Sequence, residues 1–354
     1  MRRSGTSLIE FGMVSVILGV AAVITIPVVL NSQSEARKLG CAAHMRDLAG
    51  SVLAYEQSNG YLPPAGLVAP TPDPQFARGG FDENSGLQIS WIVLTLPFQD
   101  QQDAFDRFDI SIPFYDQSDK ATGTIIESLR CPSDNLGASF SVLQPLARRF
   151  ALGNYAAFVS PVHGEDADFF PGALGGFEPG STNGQRLVEI SDGAANSFML
   201  SEVRRRPDKS DETRDSRGAW ALPWMGSSIL SVDLHTAGLD KIYRARTNQQ
   251  LDNISTPNNF YVDSIRFCQS PPLAALEEMP CTRYEGYLRG GLSWGAARSL
   301  HDGGVNSAFV DGRVRFVTNE VDAVFYANLV STNNGRPVRK LPSTKAIGKQ
   351  VNQR

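Results

Sequence analysis

The chain has 354 residues, with 37 acidic and 33 basic side chains and a formal net charge of -4. That balance excludes a general nucleic-acid binder, whose surface must be basic enough to displace phosphate counterions. Hydrophobic residues at 42% against 20% charged exclude a wholly disordered chain, and four cysteines are too few for a disulfide-dense scaffold. None of them forms the C-x-x-C spacing of a zinc site.

Residues 1–5 are a short basic head containing Arg2 and Arg3. From Phe11 to Leu30 there are twenty residues without a formal charge. At ~1.5 Å per residue such a helix spans ~30 Å, the thickness of a bilayer's hydrocarbon core. The two arginines predict a cytoplasmic N-terminus and an extracytoplasmic remainder. Glu10 stands at the edge of the apolar run, where a carboxylate is costly unless it has a partner. The competing reading is a secretory signal peptide removed after Ser32 or Ser34. The length of the run and the position of Glu10 argue against it.

After Leu30 the sequence turns polar but keeps helical rhythm. Cys41, Met45, Leu48, Val52 and Tyr55 recur at intervals of four and three and share one face. Ser58-Asn59-Gly60 predicts the helix end, with Pro63-Pro64 beyond it. Residues 61–80 are rich in proline and glycine and predict an exposed loop. Ser90 to Pro97 reads as a strand or a buried helical turn, and Gln101 to Asp109 as a helix burying Phe105 and Phe108. Residues 124–203 alternate apolar runs with Gly, Pro and Asn and predict strands. The densely charged stretch Arg204 to Arg217 predicts a solvated loop. The tail from Arg336 carries six basic residues and no acid, which leaves the head acidic.

Near the end, Asp311-Gly312 between apolar alternations predicts a two-residue hairpin turn of type I′ within 301–317. That turn sets Phe309 opposite Val314 and Ser307 opposite Phe316. Val305, Phe309, Val314 and Phe316 then face the core, with Asn306, Arg313 and Arg315 on the opposite surface. Asp192-Gly193 and Asp302-Gly303 open two similar segments. They read as Asx turns feeding strands, with a shared calcium site at Asp192 and Asp302 as the sharper, weaker reading; no other cofactor is expected.

Four cysteines allow three pairings. The preferred one joins Cys268 to Cys281, a small loop worth ~3 kcal/mol, and Cys41 to Cys131, stapling helix to head. The alternative is free buried thiols. His301 reads as a hydrogen-bonded residue bracing the hairpin rather than a ligand or base. Gly291-Leu292-Ser293-Trp294-Gly295 fits G-x-S-x-G, but the later Asp and His of a hydrolase triad have no room downstream. No constellation supports an enzyme.

Two resemblances add to this. Gly5-Thr6-Ser7-Leu8-Ile9-Glu10 resembles the class III signal of type IV prepilins and pseudopilins. The resemblance implies cleavage between Gly5 and Thr6 by a prepilin peptidase and methylation of the Thr6 amine. It also implies pairing of Glu10 with a neighbouring subunit's N-terminus. His301, nine residues, then Asp311-Gly312 resembles the H-x9-D-G signature of bacterial prepilin-like proteins whose head, sometimes labelled solute-binding, has no assigned function. Gly303, Gly304 and Asn306 fall within that signature. The fold expected is therefore α+β: a pilin-like long helix, half transmembrane and half amphipathic, on a head of mainly antiparallel sheet. The organisation is a leader (1–5), a membrane span (6–30), an amphipathic continuation (31–58), a head (59–335) and a basic tail (336–354). The expected function is a single-pass bacterial inner-membrane subunit of a pilus or type II secretion-like assembly, with the bilayer and other pilin-like subunits as partners. The alternative is a tethered solute- or glycan-binding protein using Trp220, Trp224 and Trp294 as stacking platforms.

Overall fold

The computed structural model describes residues 8–69, 82, 85–144, 148–176, 183–208, 210–234, 254–284 and 292–333. The leader, Thr6 and the basic tail lie outside them. The fold is mixed α+β, a long helix against a head rich in sheet. Helix α1 (Leu8–Asn59) is continuous. It ends where Gly60 takes a positive φ of 82° and its N–H reaches the Glu56 carbonyl at 2.7 Å, a termination that glycine permits at no steric cost.

The two halves of α1 differ in what surrounds them. In the distal half, Cys41, Met45, Leu48, Val52 and Tyr55 are buried in the main core. There they pack beside Trp91, Ile92 and Leu96 of the short helix α2 (Trp91–Thr95) and the 3-10 turn that follows it. In the proximal half, Phe11, Ile17 and Val23 are 72, 66 and 73% exposed. Among the described residues no helix is long and apolar enough to cross a membrane.

The head is built on a five-stranded sheet whose strands are β3 (Tyr155–Ser160), β4 (Phe198–Glu202), β6 (Ile229–Ser231), β9 (Gly304–Phe309) and β10 (Val314–Thr318). Their order across the sheet is β10-β9-β4-β3-β6. All pairings are antiparallel except β3 with β6. Helix α1 lies against β9, β10 and β4, and the Tyr155 hydroxyl donates to the Cys41 carbonyl at 3.1 Å. The other face carries Phe158, Phe198, Val305, Phe309 and Val317 with Tyr326, Ala327 and Val330 of the helix Ala323–Val330. Strands β1 (Phe140–Leu143), β2 (Arg148–Ala151) and β5 (Glu212–Thr213) form a three-stranded sheet of order β2-β1-β5. The parallel pair β7 (Asp263–Ile265) and β8 (Cys281–Arg283) completes the head.

Three local expectations are corrected. First, the hairpin register is shifted by one residue. Ala308 faces Val314 and Val305 faces Val317, so Val310, Asp311 and Gly312 form a three-residue loop. It is closed by the Phe309 N–H to the Arg313 carbonyl at 2.8 Å. Of the two expected turn residues, only Gly312 has positive φ, +84°, the geometry of a type I turn with a glycine bulge rather than type I′. A one-residue shift exchanges faces. Val314 therefore turns toward the core beneath α1, Asn306 is buried, and Phe316 lies under the Lys38 ammonium, 3.5 Å from the ring centroid.

Second, the proline-rich segment is not an exposed loop at its start: Leu62 to Val68 are buried. Its backbone is satisfied inside the head, with the Leu62 N–H on the Gln185 carbonyl at 2.9 Å and the Leu67 N–H on the Ile89 carbonyl at 2.8 Å. Third, the charged stretch 204–217 is not solvated throughout. Arg205, Arg206, Asp215 and Arg217 are buried, because each guanidinium meets a carboxylate. Arg205 pairs with Asp134 at 3.4 Å, Arg206 with Asp215 at 3.3 Å, and Arg217 with Asp215 at 2.9 Å. Burial pulls the Arg217 pKa down, but Asp215 and Asp263 outweigh it and leave it raised.

Candidate functional site

The most concentrated chemistry lies where α1 meets the sheet. Glu202 ends β4, and its side chain is fully enclosed. One carboxylate oxygen accepts the Asn306 backbone N–H at 2.7 Å; the other lies 3.0 Å from both the Asn306 amide nitrogen and His301 Nε2. His301 Nε2 is also 3.7 Å from Cys131 Sγ. Cys131 is joined to Cys41 of α1 in a disulfide, and Cys268 is joined to Cys281. Cys131 is held in place from behind by its N–H on the Asn154 side-chain oxygen at 3.0 Å, while Asn154 donates to the Val203 carbonyl at 2.9 Å. Burial and the Glu202 charge push the neighbouring Tyr155 hydroxyl pKa well up. Glu202 is bonded through both oxygens, and the Cys41–Cys131 disulfide beside it locks α1 to the sheet.

The turn before β9 explains the residue types there. Gly303 takes φ +77°. At Gly304 a Cβ would come 2.1 Å from the Val317 carbonyl oxygen, so only glycine lets β10 approach. Asp311 and Gly312 sit at the far end of β9, the hairpin tip, where Asp311 accepts the Arg313 N–H at 3.1 Å and Arg313 donates to the Ala195 carbonyl at 2.7 Å. His301 and Asp311-Gly312 therefore brace opposite ends of one strand. The same geometry corrects the calcium reading. β4 and β9 run antiparallel with Phe198 beside Phe309, so Asp192 lies toward the hairpin tip and Asp302 toward the other end. The two do not converge on one ion.

Gly5 and Thr6 lie outside the described residues, and Glu10 is placed in the first turns of α1. The proposed sugar platforms do not survive as a set. Trp220 and Trp224 are core residues. Trp220 packs edge-on against Phe108, and Trp224 stacks on Phe267 with the Arg266 guanidinium 4.1 Å above it. Trp294 is half-buried and donates to the Val262 carbonyl at 2.8 Å. Ser293 of the G-x-S-x-G string is buried, its N–H on Glu165 at 3.0 Å.

Sequence reasoning missed a second buried polar cluster. His163 lies between Asp233 at 2.7 Å and Asp166 at 3.3 Å. Burial opposes its protonation, but hydrogen bonds and charge from the two carboxylates win, raising its pKa from 6.5 to about 10. Burial pushes Glu165 up to about 7 despite the Ser293 N–H. The i, i+3 pairing of His163 with Asp166 was visible; its partner Asp233, seventy residues on, was not. The His163 contribution is complete below its unfolded pKa near 6.5 and is lost as pH rises through about 10. Glu165 adds in the same direction, since above about 7 it must ionise while buried. Asp233→Asn is expected to cost about 3–5 kcal/mol near pH ~6, as for breaking a buried pair, and clearly less near pH ~10. Urea unfolding at the two pH values checks it, and equal losses would contradict the charged pair.

No curated protein and no solved structure matches the chain. A family model described as "Protein of unknown function (DUF1559)" matches residues 33–324, from the middle of α1 through the hairpin. That match covers the stapled half of the helix and the whole sheet of the head, and on it the chain belongs to this large bacterial family of unknown function.

Proposed function

We propose that the protein is a membrane-anchored, prepilin-like structural subunit. In this reading the leader is removed between Gly5 and Thr6, and the proximal half of α1 holds the head outside the membrane and packs against sister helices. The single observation that carries it is the contrast along one continuous helix. One face of the distal half is buried in its own head, while the proximal half leaves Phe11, Met13, Val16, Ile17, Leu18 and Val20 exposed. Large apolar side chains displayed along several turns call for a lipid or protein cover. The membrane part of the reading rests on the uncharged sequence run Phe11–Leu30. Glu10 supplies the assembly logic: a carboxylate entering an apolar layer is tolerated when another subunit's terminal amine compensates it.

The test separates folding from assembly. Glu10→Ala is expected to leave the head folded, with the melting profile of the unaltered protein, and to abolish recovery in cross-linked multimers or filaments. Multimers formed as efficiently by Glu10→Ala would contradict the pairing.

A further inference from the structure

The disulfide between α1 and the head sits among donors that suit a metal. Cys41 Sγ, Cys131 Sγ, a Glu202 carboxylate oxygen and a His301 ring nitrogen all lie within 4.8 Å of one another, and all four residues are buried. Two of the contacts are already near the edge length of a tetrahedral zinc site. Cys131 Sγ to His301 Nε2 is 3.7 Å and His301 Nε2 to Glu202 Oε1 is 3.0 Å. Two thiolates, an imidazole and a carboxylate form a donor set that takes Zn²⁺ in four-coordinate geometry. Outer contacts are also in place: Asn306 donates twice to Glu202, and Asn154 fixes the Cys131 backbone. Such partners orient ligands and raise metal affinity.

We infer that Cys41, Cys131, Glu202 and His301 form a zinc site when the Cys41–Cys131 disulfide is open. The metal then replaces the covalent link as the staple between α1 and the head. A dithiol is the reductant. Its two thiols deliver two electrons and two protons to the disulfide and leave as a cyclic disulfide; Zn²⁺ then displaces the two protons from Cys41 and Cys131. Oxidation removes the site, because both sulfurs spend their bonding capacity on each other. The same two cysteines thus hold the stem covalently in an oxidising compartment and through metal in a reducing one.

The experiment uses the full chain, reduced with a phosphine under nitrogen, with Co²⁺ as the spectroscopic probe and Zn²⁺ as competitor. One equivalent of Co²⁺ is expected to give thiolate-to-metal charge transfer with tetrahedral d–d bands, displaced by Zn²⁺, and the oxidised protein to give neither. Alkylation followed by peptide mapping should find Cys41 and Cys131 protected by Zn²⁺ while Cys268 and Cys281 react. Zn²⁺ should raise the melting temperature of the reduced protein and leave that of the oxidised protein unchanged. Asn306→Ala should weaken binding roughly 10–100-fold, and His301→Ala at least as much. The inference is overturned by absence of the bands in reduced wild-type protein, by protection at Cys268 and Cys281 instead, or by His301→Ala binding Co²⁺ as tightly as wild type.

Discussion

Asp263→Ala is expected to destabilise the head by about 3–5 kcal/mol, the cost of leaving buried charge uncompensated. Asp263 is buried at the start of β7. Its carboxylate takes Arg298 Nη2 at 2.9 Å and Nε at 3.0 Å, lies 3.4 Å from Arg217 Nη1, and accepts the Ala296 N–H at 3.0 Å. Arg298 is among the largest fully buried side chains, and its other partners among the described residues are the carbonyls of Asn259, Tyr261 and Glu278. Without Asp263 its charge stays buried with only backbone carbonyls as hydrogen-bond partners among the described residues. Arg217 keeps Asp215 at 2.9 Å and so suffers less. The substitution also cuts the tie between three stretches far apart in sequence, around 217, 263 and 298. Equilibrium urea unfolding checks it, and a loss below about 1 kcal/mol would show that water replaces the carboxylate without penalty.

The second large effect is expected from opening the link between stem and head. The Cys41–Cys131 disulfide spans 90 residues. Loop-closure entropy for a ring of that size is worth about 4–5 kcal/mol, against about 3 kcal/mol for the 13-residue span of Cys268–Cys281. Replacing Cys41 and Cys131 together by serine is therefore expected to lower stability more than the same change at Cys268 and Cys281, measured by chemical unfolding without added metal. The loss should fall on the docking of α1, which otherwise depends on the buried face from Met45 to Tyr55 and on the Tyr155–Cys41 hydrogen bond. The reverse order of stabilities would contradict the loop argument.

What the sequence discloses and what it hides divide along physical lines. The buried face of α1 was legible because helical periodicity is local: five apolar residues at intervals of four and three sit in the core as one stripe. The helix end was legible for the same reason, through Gly60. The hairpin was half legible. Asp311-Gly312 marks a reversal, but whether two or three residues form the loop depends on the backbone at a single position. A one-residue error then exchanged the faces of Val314 and Asn306. The burial of Arg205, Arg206 and Arg217 was hidden because charge density reports solvation only when partners are absent. Asp215, within the same stretch, holds Arg206 and Arg217, while Asp134 and Asp263 come from distant segments. Leu62 to Val68 escaped for a related reason: proline and glycine usually mark a surface loop, yet here carbonyls from remote segments satisfy the backbone. The polar cluster was legible by one member. His301 stood out as a brace, but Glu202, to which His301 and Asn306 both turn, stands in an apolar strand with no local sign of its role.

On the proposed reading, the exposed proximal half of α1 belongs to the working protein and holds it at a membrane among like subunits. The decisive measurement is the N-terminal sequence of the protein recovered from the membrane fraction. The expected chain begins at Thr6, keeps the apolar run intact and resists alkaline extraction. A chain beginning at Glu35, or one found free of the membrane, would contradict it.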